Sequence, residues 1–102
     1  MALEVRDNRD DERYEATVDG ELAGFAEYRS RPGLIAFIHT EVDGDFEGQG
    51  VGSTLVREAL DDARRRGLEV LPFCPFVNSY IERHRDYADL VPESRLETFG
   101  LS

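Results

Sequence analysis

Between Leu34 and Gly67 the chain runs through its most strand-like stretch, then a loop with four glycines, then a strongly periodic helix. Leu34, Ile35, Phe37, Ile38 and Val42 predict a strand with few breakers. Asp43 to Gly52 is the loop. From Val51 to Arg66 the residues Val51, Leu55, Val56, Ala59, Leu60 and Ala63 make one apolar stripe, with Arg57, Glu58, Asp61, Asp62 and Arg64 opposite. A strand, a glycine-rich loop and a helix in that order make an anion site. The first N–H groups of the helix have no intrahelical acceptor, and the dipole favours negative charge there. Gly48, Gly50 and Gly52 would let backbone approach a phosphate closely. The turn lacks the Gly-Lys-Ser/Thr of a nucleotide P-loop and does not follow the dinucleotide fingerprint.

The rest of the chain builds around that unit. From Arg13 the pattern alternates, with Tyr14, Ala16 and Val18 on one face, and Asp19-Gly20 offers a hairpin turn. Leu22 to Tyr28 reads as the returning strand, with Gly24 a bulge or packing position. Arg31-Pro32-Gly33 is a second turn. Arg64-Arg65-Arg66 suits a solvated helix end, and Gly67 is a capping residue. Leu68 to Cys74 predicts a short strand, parallel to its predecessor because a crossover helix connects them. Pro75 can open a helix that continues over Phe76 to His84. Residues 1–11 read as a polar, partly ordered arm and Arg85 to Ser102 as a segment ending in a polar tail. The fold class is α+β: an antiparallel meander, then a βαβ unit and a final helix, within one domain over residues 1–102 and an ordered core of about 13–92.

Composition narrows the function. The 102 residues carry a formal charge of −10, and all 12 basic residues are arginine. That balance argues against nucleic acid as partner, because affinity for it comes from neutralising phosphates. It suits a cationic partner such as an amine, or serves solubility alone. No apolar run approaches a membrane span, and the first residues show no secretory pattern. The single cysteine, Cys74, cannot form an internal disulfide, so a reducing, cytoplasmic setting is expected. His39, Cys74 and His84 follow no zinc spacing, and no metal is expected.

His39-Thr40-Glu41-Val42, then Phe46-Glu47-Gly48-Gln49-Gly50-Val51-Gly52-Ser53, then Leu55-Val56, resemble the coenzyme motif of the GNAT acetyltransferase superfamily. Pro72-Phe73-Cys74-Pro75-Phe76-Val77, with Tyr80-Ile81 and His84, resembles its short branch often called the YjdJ-type N-acetyltransferase domain. The resemblance covers roughly Arg13 to Val91. It departs at Glu47, where the superfamily usually has Arg or Gln. It implies a single mixed sheet with a splayed cleft for acetyl-coenzyme A, and transfer of acetyl to a primary amine that a protein or peptide could carry. The amides of Gly48, Gln49, Gly50, Val51, Gly52 and Ser53 would hold the pyrophosphate, the backbone at Val42 would pair with the pantetheine arm, and Asn78 could contact that arm or serve only the helix. The alternative is a coenzyme A-binding module with weak catalysis. A monomer or weak dimer is expected.

Three side chains are candidates for the chemistry. His39 and Glu41 lie two apart on one strand and share a face. Histidine changes charge near neutral pH and can act as general base, and Glu41 could act through a water. If Phe37 lies on the same face, that face runs from core to cleft. Cys74 ends the following strand, where a thiolate near His39 and a helix start could carry the acetyl group. Direct attack by the amine is the competing and preferred route. His84 or Tyr80 could protonate the leaving thiolate.

Overall fold

The computed structural model describes residues 2–102. Five strands form one sheet in the order β1-β2-β3-β4-β5: β1 Leu3–Asn8, β2 Arg13–Val18, β3 Glu21–Arg31, β4 Leu34–Val42 and β5 Glu69–Pro72. The first four form an antiparallel meander, and β5 joins β4 in parallel. Helix α1, Val51–Arg65, makes the crossover, and α2, Pro75–Arg83, follows β5. The expected meander, crossover and mixed sheet are all present.

Alternating side chains give the sheet two unlike faces. Tyr14, Ala16, Val18, Ala26, Tyr28, Ile35, Phe37 and Val70 are buried in one cluster with the α1 stripe and with Val77, Tyr80 and Ile81 of α2. The other face carries Arg6, Arg13, Glu15, Glu27, His39 and Glu41 around the Phe25 ring, a mostly polar set that no helix covers among the described residues. All seven residues of the buried α1 stripe, Gly52 included, meet the first face.

Both chain ends differ from expectation. The N-terminal segment is strand β1, not an arm. Its Leu3 and Val5 pack against the core, and Tyr28 donates its hydroxyl to Asp7 at 2.6 Å. Alternation in a mostly polar segment is hard to see when two apolar residues carry it. The C-terminal tail also packs. Leu101 is fully buried, Arg85 donates to its carbonyl at 2.6 Å, and Phe99 meets Phe73 edge-on at 5.1 Å. The arginine run does more than solvate a helix end. Arg66 reaches Asp7 on β1 and Asp62, while Arg64 holds Asp89 with two hydrogen bonds of 2.9 Å. Gly67 at φ +68° ends α1 as expected: Leu68 donates to Ala63 and Gly67 to Arg64, the paired bonds of a left-handed cap.

Two bulges shape the end of the sheet where α1 begins. Between β2 and β3 the register passes from Ala16–Gly24 to Thr17–Leu22, leaving Ala23 as the extra residue. Between β3 and β4 it passes from Glu27–His39 to Tyr28–Phe37, leaving Ile38 extra. A bulge bends its strand and increases the local twist. The second therefore separates the fate of Phe37, which is buried, from that of His39, which is exposed. The two do not share a face, and no face runs unbroken from core to cleft through them. Gly24 is a packing position: a Cβ there would lie 2.7 Å from the Glu41 carbonyl oxygen.

Candidate active site

Pairing between β4 and β5 stops at Phe37–Pro72, after which the Cys74 N–H reaches the Phe37 carbonyl at 2.9 Å. Strand β4 continues to Val42 while the chain after β5 turns into α2. The local causes are the Ile38 bulge on one strand and Pro72, which lacks a donor, on the other. Asp43 donates to Ala23 at 2.8 Å, toward β3. Backbone groups alternate along a strand, so Val42 turns its N–H and C=O the other way, into the opened side. The two strands thus splay beyond Phe37–Pro72, and Val42 turns a backbone edge toward the opening.

The glycine turn stands beside that edge. Asp43 caps a short 3₁₀ turn, Gly44–Phe46, by accepting from the Asp45 N–H at 2.9 Å. Gly48 and Gly50 have φ of +79° and +75°, and a Cβ on either would meet nothing within 4 Å. They are glycine for conformation, and the space beside them is open. Gly50 is the N-cap of α1, and Thr54 donates back to it at 3.0 Å. The N–H groups of Val51, Gly52 and Ser53 are thereby left without intrahelical acceptors. Gly52 is glycine for space, since a Cβ would lie 2.6 Å from the Phe76 ring. Val42, Phe46, Glu47, Gly48, Gly50, Val51, Gly52, Ser53 and Phe76 line a cavity of about 300 Å³. Gln49 is exposed in the same turn. These donors and this space fit a pyrophosphate, although the lining contains an acidic side chain and no basic one.

His39 Nε2 and Glu41 Oε1 are 3.0 Å apart, and both side chains are more than half exposed. The edge of the Phe25 ring meets His39 at 6.1 Å, Arg13 lies over Phe25 at 4.7 Å, and Glu15 accepts from Arg13 at 2.8 Å. A line of contacts thus fixes His39 on the open face. Cys74 belongs to the other face. It is 2% exposed, it is the N-cap of α2, and its Sγ lies 3.3 Å from Thr40 Oγ1. Since Thr40 sits between His39 and Glu41 on β4, the thiol meets the hydroxyl between them and not the imidazole.

Asn78 Nδ2 donates to the Phe99 carbonyl at 2.9 Å, so its amide ties α2 to the C-terminal segment. His84 caps the far end of α2, with Nδ1 2.9 Å from the Tyr80 carbonyl and its ring stacked on Tyr80 at 4.1 Å. The helix has nine residues, and their rise of about 1.5 Å each puts His84 well away from the cleft end. Burial, chiefly, raises the Tyr80 phenol above its ordinary range, so it stays a neutral donor. Sequence reasoning did not single out Phe76, Thr40 or Phe25, which the structure places beside the candidate residues. Only Phe76 left a signal, because a glycine at an inward helix position implies a large neighbour.

The family model for GCN5-related N-acetyl-transferase matches residues 13–90. The chain belongs to this family. Enzymes of the family transfer acetyl groups and use acetyl-coenzyme A as co-substrate. Comparison with curated proteins finds no match. Among solved structures, a GCN5-like protein from Staphylococcus aureus is similar at 24% identity and TM-score 0.67, over 88% of each chain. The ribosomal-protein-S18-alanine N-acetyltransferase from Escherichia coli is similar at 25% identity and TM-score 0.54, over 57% of this chain and 38% of its own. The ribosomal-protein-alanine N-acetyltransferase from Brucella melitensis is similar at 23% identity and TM-score 0.52, over 78% of this chain and 60% of its own. The chain thus spans less than two thirds of the length of either alanine acetyltransferase. Among the described residues, no helix is long and apolar enough to cross a membrane.

Proposed function

We propose that this N-acetyltransferase moves an acetyl group from acetyl-coenzyme A to a primary amine carried by a protein or peptide. The observation that supports this most is the meeting of two features at Val42. The free backbone edge of β4 ends there, and the glycine cradle at the start of α1 begins within the same cavity. A thioester linked to a pyrophosphate through an extended amide-bearing arm needs that pair of features side by side. The open sheet face gives an acceptor access without a lid, which suits an amine on a flexible chain. The alanine acetyltransferases similar in fold act, by their names, on protein amines.

Bound acetyl-coenzyme A would supply a thioester carbonyl, to which the amine forms a C–N bond as the C–S bond breaks. The chain's own residues have three tasks. The N–H groups of Val51, Gly52 and Ser53 bind phosphate oxygens. The Val42 backbone orients the arm and faces its donor toward the cleft, where an oriented N–H is worth about 3–4 kcal/mol to a developing oxyanion. Glu41 and His39 take the ammonium proton, since only the neutral amine attacks. Burial of Cys74 and its contact with Thr40 support direct attack over passage through the thiol.

The test is isothermal calorimetry with coenzyme A, followed by thiol release from acetyl-coenzyme A in the presence of an amine panel. Micromolar binding and amine-dependent thiol release are expected. Binding without turnover on any amine would favour a coenzyme A-binding module, and no binding would overturn the proposal.

A further inference from the structure

A second cavity lies on the other side of Val42. It measures about 330 Å³ and is lined by Leu22, Ala23, Gly24, Phe25, Glu41, Val42 and Asp43. The Ala23 bulge and the close approach of Gly24 to the Glu41 carbonyl build it, so it comes from the backbone and not from loosely placed side chains. Its apolar side chains include Leu22, which is 44% exposed, and the half-buried Phe25 and Val42. Its charge comes from Glu41 and Asp43. Glu41 uses one oxygen on His39 and Asp43 one on the Asp45 N–H, leaving a second oxygen of each free of side-chain and backbone partners among the described residues. No basic residue lines it.

We infer that this groove binds the acceptor as an ammonium group on an apolar stem: the cation between Glu41 and Asp43, the stem along Leu22 and Phe25. The inference rests on the acetyl-transfer reading for its purpose and deepens it by naming the acceptor's chemistry. Charge complementarity selects the cation, because two carboxylates each with a free oxygen, in a lining that holds no basic residue, attract one. The volume selects the stem, since a bare ammonium ion would leave most of the groove, and its exposed leucine, in water. Val42 joins the groove to the glycine cradle, so an amine seated at Glu41 lies beside the strand edge expected to hold the thioester. His39, bonded to Glu41 and held by Phe25, stands where the ammonium proton must go. A lysine side chain and a free alkylamine share this chemistry.

The test is an NMR titration of the full chain with methyl-, butyl- and hexylammonium, hexanol, and an end-capped peptide holding one lysine. It needs no coenzyme. Butylammonium should shift the amide signals of Leu22 to Phe25 and Glu41 to Asp43, and each methylene removed toward methylammonium should weaken binding roughly threefold to fourfold. Hexanol should bind much more weakly than hexylammonium. Asp43→Asn keeps the cap and should weaken butylammonium roughly threefold, and Leu22→Ser should remove the dependence on stem length. The peptide binding tighter than butylammonium assigns the groove to a protein lysine, and the reverse order assigns it to a free amine. Equal binding of methyl- and butylammonium, or shifts confined to residues outside the groove, overturns the inference. Failure of coenzyme A to bind, with the groove shifts intact, overturns the acetyl-transfer reading instead.

Discussion

Gly50 carries the most direct test at the scale of single residues. Its positive φ and open surroundings mean that Gly50→Asp meets no clash, and its conformational strain is about 1–2 kcal/mol, less for Asp than for most residues. The new carboxylate would face the place proposed for pyrophosphate. Coenzyme A affinity should fall at least tenfold by calorimetry while the melting temperature drops by only a few degrees. Unchanged affinity would remove the cradle from the coenzyme site. Cys74 separates the two transfer routes. Under direct attack, Cys74→Ala should leave kcat within a fewfold of wild type and lower stability by about 1–2 kcal/mol through lost packing. His39→Gln should cost roughly 10²-fold in kcat. A stoichiometric acetyl adduct on Cys74 that amine discharges at the turnover rate would reverse this order.

At the scale of elements, α1 is anchored at its C-terminal end by polar contacts that the helix periodicity does not reveal. Asp62 accepts from the Tyr14 hydroxyl at 2.5 Å and also meets Arg65 and Arg66. Burial pushes the Asp62 carboxyl up, but the Tyr14 hydrogen bond and the two arginines outweigh it and hold the group below its ordinary range. A depressed carboxyl contributes stability above its unfolded pKa, near 3.9, and loses it as pH falls through the folded value. Asp62→Asn should therefore destabilise the protein at pH 7 by about 1–3 kcal/mol. The gap to wild type should close below about pH 4, as denaturant titrations across pH would show. A gap independent of pH would assign the effect to shape and not to charge. At the other end, Gly52→Ala would press on Phe76, whose ring is 38% exposed and can turn aside. Stability should change little, while coenzyme affinity falls because the ring moves within the cradle cavity.

Over the whole molecule, a net charge of −10 raises the local concentration of cations and opposes an anionic coenzyme. Raising salt from about 20 to 300 mM should lower kcat/KM for a cationic amine severalfold and leave it unchanged or raised for acetyl-coenzyme A. Stopped assays under each limiting substrate distinguish these trends. An amine term indifferent to salt would mean that the acidity serves the solvated surface alone. The two-faced sheet adds a second global property. One face is buried under both helices, and the other keeps His39, Glu41 and Phe25 accessible beside the proposed groove.

The local elements and the glycine turn could be read from residue order because their causes are local. A 3.6-residue apolar stripe, an Asp-Gly hairpin, a proline at a helix start and glycines at alternate positions each act within a few residues. His39 and Glu41 sharing a face followed from strand geometry. Tertiary structure decided what depended on register. The Ile38 bulge turned Phe37 inward and His39 outward, and it left Thr40, not His39, facing Cys74. The Ala23 bulge opened the groove. β1 and the C-terminal segment gained order from distant partners, Tyr28 with Arg66 and Arg85 with Phe73, that no neighbouring residue announces. Alternation along a strand carries no record of where one extra residue will be inserted, because that depends on which partner strand lies alongside and how far it twists.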